Sequence, residues 1–526
     1  MLARTCSALS EASLDVLWSE LDSLHPLASC IYIANTMTLS DEHIAEAADD
    51  PKPDLSIFYK YAHRVRKLDL SGQQRFLRRG GYPSLPEDLG ALLYYPLNSP
   101  ILPNLRHLAW APGMGFNLLR HLLGPHLLSL KIPAHRWSSA SNLFSLTKVP
   151  GLCPKIRSLT LQVNSWDGHL ETESVQSTQY ISQVICSWEK LEELDCNPMT
   201  CDGVLRLSGL ASLRILRLQV TTSSIVDLPP DSLSFPSLHT FQGTCSSEII
   251  EVLLRLVSRD TLHHELRNFS LHLPPLLGDD PYNISDMLQP LFHCCELRTL
   301  SIRMTSPFTL SDGDLRMMAA AWPQLEELEL IDLRPRARHT LTALTQQLLQ
   351  HTTNVGPGQP NQAPQPPVVH VNQHHAIPIT TLLGNPVFPG FFPPDHFFPS
   401  RSRTTEITFH GLISLLQLCP NLYYFDLALD ATKLDGLQGD RPGGGVCNRL
   451  VKHAKLVDSP IGDPEVVAHI LLDILPELDP LAGLNVPLPA PHLNWVPHNM
   501  TPQGWNMVRQ IMLDSRNATT QSASQI

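Results

Sequence analysis

The sequence predicts an α/β fold, a solenoid in which short parallel strands alternate with helices and each unit stacks on the next. Three observations predict it. The apolar pattern LxxLxL recurs, with steps of 22 to 35 residues between Leu105 and Leu325. Proline stands two residues before the pattern at Pro103, Pro154, Pro236, Pro323 and Pro420. The stretches upstream carry apolar residues at three- and four-residue spacing, the period of a helix packed on one side. A unit of this length cannot bury its apolar edge alone, and stacking neighbours makes the core continuous.

Taken in order, the strands begin with VRKLDL from Val65, LRHLAW from Leu105 and LLSLKI from Leu127. IRSLTL from Ile156, LEELDC from Leu191, LRILRL from Leu213 and LHTFQG from Leu238 follow. Then come LRNFSL from Leu266, LRTLSI from Leu297, LEELEL from Leu325 and LYYFDL from Leu422. VKHAKL from Val451 and LDPLAG from Leu478 are weaker matches, yet their steps of 29 and 27 fit the period. Leu216, Leu300 and Leu328 are expected at buried strand positions. The helices are read from SSEIIEVLLRLVSRD, ISDMLQPLFHCC, SDGDLRMMAAAW and FHGLISLLQLCP. Several open on Ser or Asp, as N-caps do. In DPEVVAHILLDILPEL, Asp463 takes the cap and Pro464 the first turn, the favoured order. Proline lacks an N–H and cannot continue a helix, so each Pro ends one and feeds an extended segment.

The step from Leu325 to Leu422 is 97 residues, too long for one unit. Residues 356–400 contain eleven prolines, and Asp395 is the only formal charge between Arg338 and Arg401. This composition predicts a Pro/Gln/His-rich disordered insertion over 335–403. Its end, NPVFPGFFPPDHFFP, sets five phenylalanines among prolines. The organisation expected from sequence is a helical N-terminal segment over 1–26, a connecting segment over 27–64 and repeats over 65–334. Beyond the insertion come C-terminal repeats and a final helix over 404–512, then a disordered tail over 513–526.

Apolar residues make up 43% of the 526, enough for a large core, and the net charge is −12. That charge argues against nucleic-acid binding by phosphate neutralisation, which needs a basic face. Eleven cysteines are scattered with no CxxC pair, so buried or free thiols explain them better than a zinc site. No run of 18 apolar residues exists to span a membrane, and no charged-then-apolar leader stands at the start. A cytoplasmic or nuclear protein is expected. GxxxxGK[ST], HExxH and GxSxG are all absent, and PGGGVCN at 442–448 lacks a strand–helix setting for a nucleotide. No residue is left to carry an enzymatic reading, and no cofactor or metal is expected.

The array resembles an irregular leucine-rich-repeat horseshoe. With the repeats placed, LARTCSALSEASLDVLWSELDSLHPL resembles the second half of an F-box and its linker helix, as in fungal F-box proteins with leucine-rich repeats. SIFYKYAHRVRKLDL resembles the segment leading into that group's first strand. ITFHGLISLLQLCPNLYYFDLALDAT and SPIGDPEVVAHILLDILPEL resemble its C-terminal repeats, and the Trp of MTPQGWNMVRQI its final helix. The resemblance covers nearly the whole chain apart from roughly 335–403, and it rests on the ordered set of stretches. It implies the substrate-recognition subunit of a cullin-type (SCF) ubiquitin ligase, holding a Skp adaptor with the F-box and a protein target with the repeats. Leu2, Cys6, Leu9, Leu14, Leu17 and Trp18 are then the adaptor-binding candidates. The family's Leu-Pro-containing start and first F-box helix are missing, so weak or no adaptor binding is expected of this polypeptide. The other reading is a protein-binding scaffold with no ligase link, whose helical remnant caps the array by packing on the first repeat.

In LxxLxL strands the leucines point into the core and the residues between them point to the other side. That places Ser158, Thr160, Glu193, Asp195, Arg217, Thr240, Gln242, Asn268, Ser270, Thr299, Ser301, Arg303, Glu327 and Glu329 on one concave face, the candidate surface for an unknown protein target.

Overall fold

The computed structural model describes residues 7–30, 55–73, 100–110, 116–134, 146–163, 171–196, 199–220, 235–245, 250–258, 265–273, 282–304, 306, 308–332, 406–439, 441–456, 459–481, 484 and 502–524. The chain divides into two units. One comprises Met1–Asp332 with Glu406–Ile526, and the other is Leu333–Thr405. The second unit, and with it the expected insertion, lies outside the described residues.

In chain order the first unit runs α1 (Ser7–Ser19), β1 (Glu20–Leu21), α2 (Ser56–Ala62), β2 (Lys67–Asp69), β3 (His107–Ala109), α3 (Phe116–Leu122) and β4 (Ser129–Ala134). It continues α4 (Val149–Leu152), β5 (Ser158–Val163), α5 (Glu171–Ile185), β6 (Glu193–Cys196), α6 (Cys201–Ser208), β7 (Ile215–Val220), β8 (Thr240–Cys245), α7 (Ile250–Ser258) and β9 (Asn268–Leu273). Then come β10 (Tyr282–Asn283), α8 (Ile284–Leu288), β11 (Thr299–Met304), β12 (Phe308–Thr309), α9 (Asp312–Ala321) and β13 (Glu327–Asp332). The unit closes with α10 (Phe409–Leu418), β14 (Tyr424–Leu427), β15 (His453–Lys455), α11 (Pro464–Ile474) and α12 (Pro502–Ser524). Thirteen of these strands form one parallel sheet in sequence order, β1 to β9 and then β11, β13, β14 and β15. Strands β10 and β12 pair separately. The fold is thus α/β, a parallel sheet with helices in the crossovers.

Register explains the core. Leu159, Leu194, Leu216, Phe241, Phe269, Leu300, Leu328 and Phe425 lie opposite one another on successive strands. All are buried, including the three leucines expected there. Phe241 and Phe269 stack at 5.5 Å between ring centroids. Gly243 takes the next inward position because a Cβ there would meet the Phe241 ring at 2.7 Å.

The turn before each strand repeats as faithfully as the strand. The residue three before the pattern is buried at Leu102, Cys153, Trp188, Cys294, Trp322, Cys419 and Leu475. Its carbonyl accepts from the pattern's first N–H in several units, at 3.2 Å for Leu105, 3.1 Å for Leu325 and 3.1 Å for Leu478. At Cys153, Cys294, Trp322, Cys419 and Leu475 the chain leaves the helical turn with ψ between 64° and 75°. Pro154, Pro323, Pro420 and Pro476 follow four of these five, and a proline steers the residue before it out of the helical region. The proline signal therefore acts on its neighbour, which it turns into the core. Burial pushes the thiols of Cys153 and Cys419 up to about 12 and that of Cys294 up to about 11, so they stay protonated at neutral pH.

Helix starts follow the sequence signals. Asp463 caps α11 with Pro464 in its first turn, and Ser311 forms a capping box with Asp314 at α9. Thr200, Asn283 and Thr408 cap α6, α8 and α10.

At the sheet's first edge, β1 pairs with β2 and adds a strand that the leucine pattern does not announce. Helix α1 is tied to the array through Arg64, whose buried guanidinium pairs with Glu11 and Asp15 and also donates to the Glu11 carbonyl at 3.2 Å. Trp18 stacks on Tyr61 of α2, with centroids 4.5 Å apart. A Glu11→Gln, Asp15→Asn chain is expected to weaken α1 docking by about 1–3 kcal/mol, because Arg64 keeps its burial and loses both anions. Hydrogen exchange checks this: amides of α1 lose protection while those of β5 to β9 do not.

At the other end two expectations need correction. Leu481 is 69% exposed and does not enter the core as the LDPLAG match implies. Asp479 and Pro480 form a turn in which the Asp479 side chain accepts from Leu481 N at 2.8 Å and its carbonyl from Leu484 N at 2.9 Å. The buried partner of Ala454 is therefore Leu484. The final helix also continues to Ser524, where a disordered tail is expected from 513. Trp505, Val508 and Met512 are buried, and Arg516 donates to the Pro476 carbonyl, which carries the helix past its apolar stretch.

Candidate functional site

The side of the sheet facing away from the core presents parallel rows of side chains. One row reads Ser158, Glu193, Ile215, Thr240, Asn268, Thr299, Glu327, Tyr424 and His453 on successive strands. The next reads Thr160, Asp195, Arg217, Gln242, Ser270, Ser301, Glu329, Asp426 and Lys455. Arg303 stands in a third row between His272 and Ile331. All fourteen sequence-predicted residues therefore fall in register on one face. Most are half-buried, Gln242 and Arg303 are exposed, and Ser301 is buried.

Neighbouring strands satisfy much of this polarity among themselves. Glu193 accepts from Ser158 at 2.9 Å and from Arg217 at 2.6 Å. Glu329 accepts from Ser301 at 2.7 Å and from Arg303 at 2.9 Å. Asn268 donates to Thr240 at 3.0 Å, Tyr423 donates to Glu327, and Lys455 lies 3.6 Å from Asp426 and over the Tyr424 ring. Burial raises the Glu193 and Glu329 carboxyls, and the hydrogen bonds from arginine and serine outweigh it, so both titrate below their ordinary 4.5. A depressed carboxylate contributes stability that is complete above its unfolded value and lost as pH falls through the folded one. The melting temperature is therefore expected to drop as pH is lowered below 4.5. A Glu193→Gln, Glu329→Gln chain should start lower at neutral pH and show a shallower acid limb in calorimetry.

Sequence reasoning missed part of this face. Ile215, Tyr424, Asp426, His453 and Lys455 occupy the same two rows, and the alternation in LRILRL, LYYFDL and VKHAKL was the signal for them. It also missed a row of arginines directly after the pattern's first apolar residue: Arg66, Arg106, Arg157, Arg214, Arg267 and Arg298. Each of their carbonyls accepts two successive N–H groups of the next strand, at 2.7 and 3.0 Å for Arg66. Arg157 pairs with Glu192 at 3.0 Å and Arg298 with Glu326 at 3.1 Å. At the β1 end the face holds a groove of about 700 Å³ lined by Glu20, Arg66, Lys67, Asp69, Arg106, His107 and Lys131 among others.

The adaptor candidates on α1 separate. Leu2 and Cys6, and the side chain of Leu9, lie outside the described residues. Leu14 is half-buried, Leu17 is 65% exposed, and Trp18 packs on Tyr61. Val16, absent from the sequence-based set, is 78% exposed. Among the described residues no group of three or more His, Cys, Asp or Glu side chains is arranged to hold a metal ion.

No protein-family model matches the chain, and no curated protein matches it. Among solved structures it is similar to the crystal structure of the Rad7 and Elc1 complex in yeast, at 13% sequence identity and a TM-score of 0.32, covering 62% of this chain and 89% of that one.

Proposed function

We propose that the chain is a leucine-rich-repeat solenoid that recognises a protein target with the outer face of its sheet and presents it to a cullin-type ubiquitin ligase through a Skp-type adaptor. The observation that carries this reading is the register: fourteen polar residues from β5 to β13 form one continuous surface on a rigid core. Exposed Val16 and Leu17 offer a small apolar contact for a weakly held adaptor, as the sequence leads one to expect. The role is binding, with no catalytic step of its own, in the cytoplasm or nucleus.

Affinity purification from the native cell, with partner identification, tests the proposal. Thr160→Arg with Gln242→Arg is expected to lose the target and keep the adaptor, and central contacts of this kind are worth about 2 kcal/mol or more. Val16→Asp with Leu17→Asp is expected to do the reverse. Retention of both partners by both variants would refute the assignment. A second reading has its own support: Arg64 and Trp18 bind α1 to the first repeat, as a cap would. Target capture with no ligase component in the purified complex selects that scaffold role.

A further inference from the structure

We infer that the groove at the β1 end of the sheet binds an acidic, extended segment of the target protein. This rests on the reading of the outer face as the target-binding surface. The chain as a whole is acidic, at −12, yet this groove collects Arg66, Lys67, Arg106, His107 and Lys131. The acids nearby are already engaged. Glu20 pairs with Lys67 at 2.8 Å, and Asp69 accepts from Ser71 N at 3.0 Å and Ser71 Oγ at 2.6 Å. Arg66, Arg106 and Lys131 are exposed and make no ion pair among the described residues.

The rest of the face is the opposite. Its acids Glu193, Glu329 and Asp426 are held by Arg217, Arg303 and Lys455. Asp195 and Glu327 add further negative charge to that part of the face, so among the described residues the cations without an acid partner gather at the β1 end. Arg66 and Arg106 stand just before β2 and β3 and Lys131 lies within β4, in register with Asp69 and Ala109; two strand spacings of about 4.8 Å and a three-residue offset of about 10 Å make the group span about 14 Å. That is the reach of about four extended residues. Arginine forks suit carboxylate or phosphate oxygens two at a time. A nucleic acid fits less well: no aromatic platform lines the groove, and the acidic remainder of the chain repels a long polyanion.

The test is fluorescence anisotropy with the full purified chain and a labelled Asp/Glu-rich peptide. Its Asn/Gln counterpart, a phosphoserine version and a single-stranded oligonucleotide serve as the other arms. The acidic peptide is expected to bind, to weaken as salt screens the contact, and to lose about tenfold or more with Arg66→Gln, Arg106→Gln, Lys131→Gln. Arg214→Gln with Arg267→Gln, in the same arginine row beyond the groove, should change affinity by less than about twofold. The phosphoserine arm, read beside the carboxylate one, identifies which anion the groove prefers. Equal binding of the Asn/Gln peptide, equal loss with the Arg214 and Arg267 variant, or tighter binding of the oligonucleotide would overturn the inference. Anisotropy needs no ligase component. If the groove variant keeps the native target while Thr160→Arg with Gln242→Arg loses it, the groove assignment fails and the proposed function stands.

Discussion

Replacing Trp322 with alanine is expected to lower the free energy of unfolding by about 3–5 kcal/mol. Trp322 is the largest fully buried side chain among the described residues and closes α9 at the turn into β13. Its ring meets Phe292 edge-on at 5.4 Å, and its Nε1 donates to the Leu291 carbonyl of the preceding unit at 3.0 Å. Its own carbonyl accepts from the Cys419 thiol of the following unit at 3.4 Å. One residue therefore joins three successive units. Trp322→Phe separates the terms: it keeps most of the ring area, and the Leu291 carbonyl retains Cys294 N at 2.8 Å. The phenylalanine chain should lose only about 1–2 kcal/mol. Each unit contacts mainly its neighbours, so weakening one junction lowers the coupling between the two sides. Denaturant unfolding of Trp322→Ala should then broaden or split into two transitions. A single sharp transition at the parent midpoint would show that the turn residue does not join the units.

The arrangement of the sheet was legible in the sequence because apolar position and strand register coincide. Leu68, Leu108, Leu130, Leu159, Leu194 and Leu216 hold the same place in the pattern, and they form one row. The proline marker was also sound, although its structural effect falls on the buried residue in front of it. What escaped the pattern did so for physical reasons. Strand β1 is two residues long and carries no leucine repeat of its own; it is held by pairing with β2 and by the ion pair of Glu20 with Lys67. Leu481 satisfied the spacing rule, but the Asp479–Pro480 turn overrode it. Helix α12 continues beyond Met512 over polar residues, supported by tertiary contacts such as Arg516 to Pro476, which local composition cannot report. The arginine row was visible as Arg after the first apolar residue in six matches, yet alternation alone does not say which of those charges are neutralised. Glu192 and Glu326 neutralise two of them because they stand at the equivalent position on the next strand.

Asp312→Ala is expected to cost about 2–3 kcal/mol, whether or not residues 335–403 are present. Strands β13 and β14 are adjacent in the sheet, with Glu327 opposite Tyr424 and Leu330 opposite Leu427, although 97 residues separate their patterns. The junction between them must therefore be held by contacts made on both sides of the long segment. Asp312, the first residue of α9, accepts from Thr408 N at 2.7 Å and from Thr408 Oγ1 at 2.6 Å. Thr408 in turn caps α10, accepting from His410 N at 3.1 Å, so one carboxylate fixes the start of the next helix. Gly411 leaves the space it occupies, since a Cβ there would collide with the Asp312 carboxylate. Around this clasp, Ser311 bridges to Glu406 and Asn421 donates to Gln324 at 3.1 Å. Replacing 335–403 by a Gly/Ser linker of about 15 residues, with a reach of about 20 Å, should leave these contacts intact. The shorter loop costs less entropy to close, and the gain is about 1 kcal/mol. Chemical denaturation of four chains (parent, excised, Asp312→Ala and the combination) checks both statements. Similar losses on adding Asp312→Ala to parent and excised chains are expected. An excised chain that unfolds or aggregates would show instead that the long segment is part of what joins the two halves of the sheet.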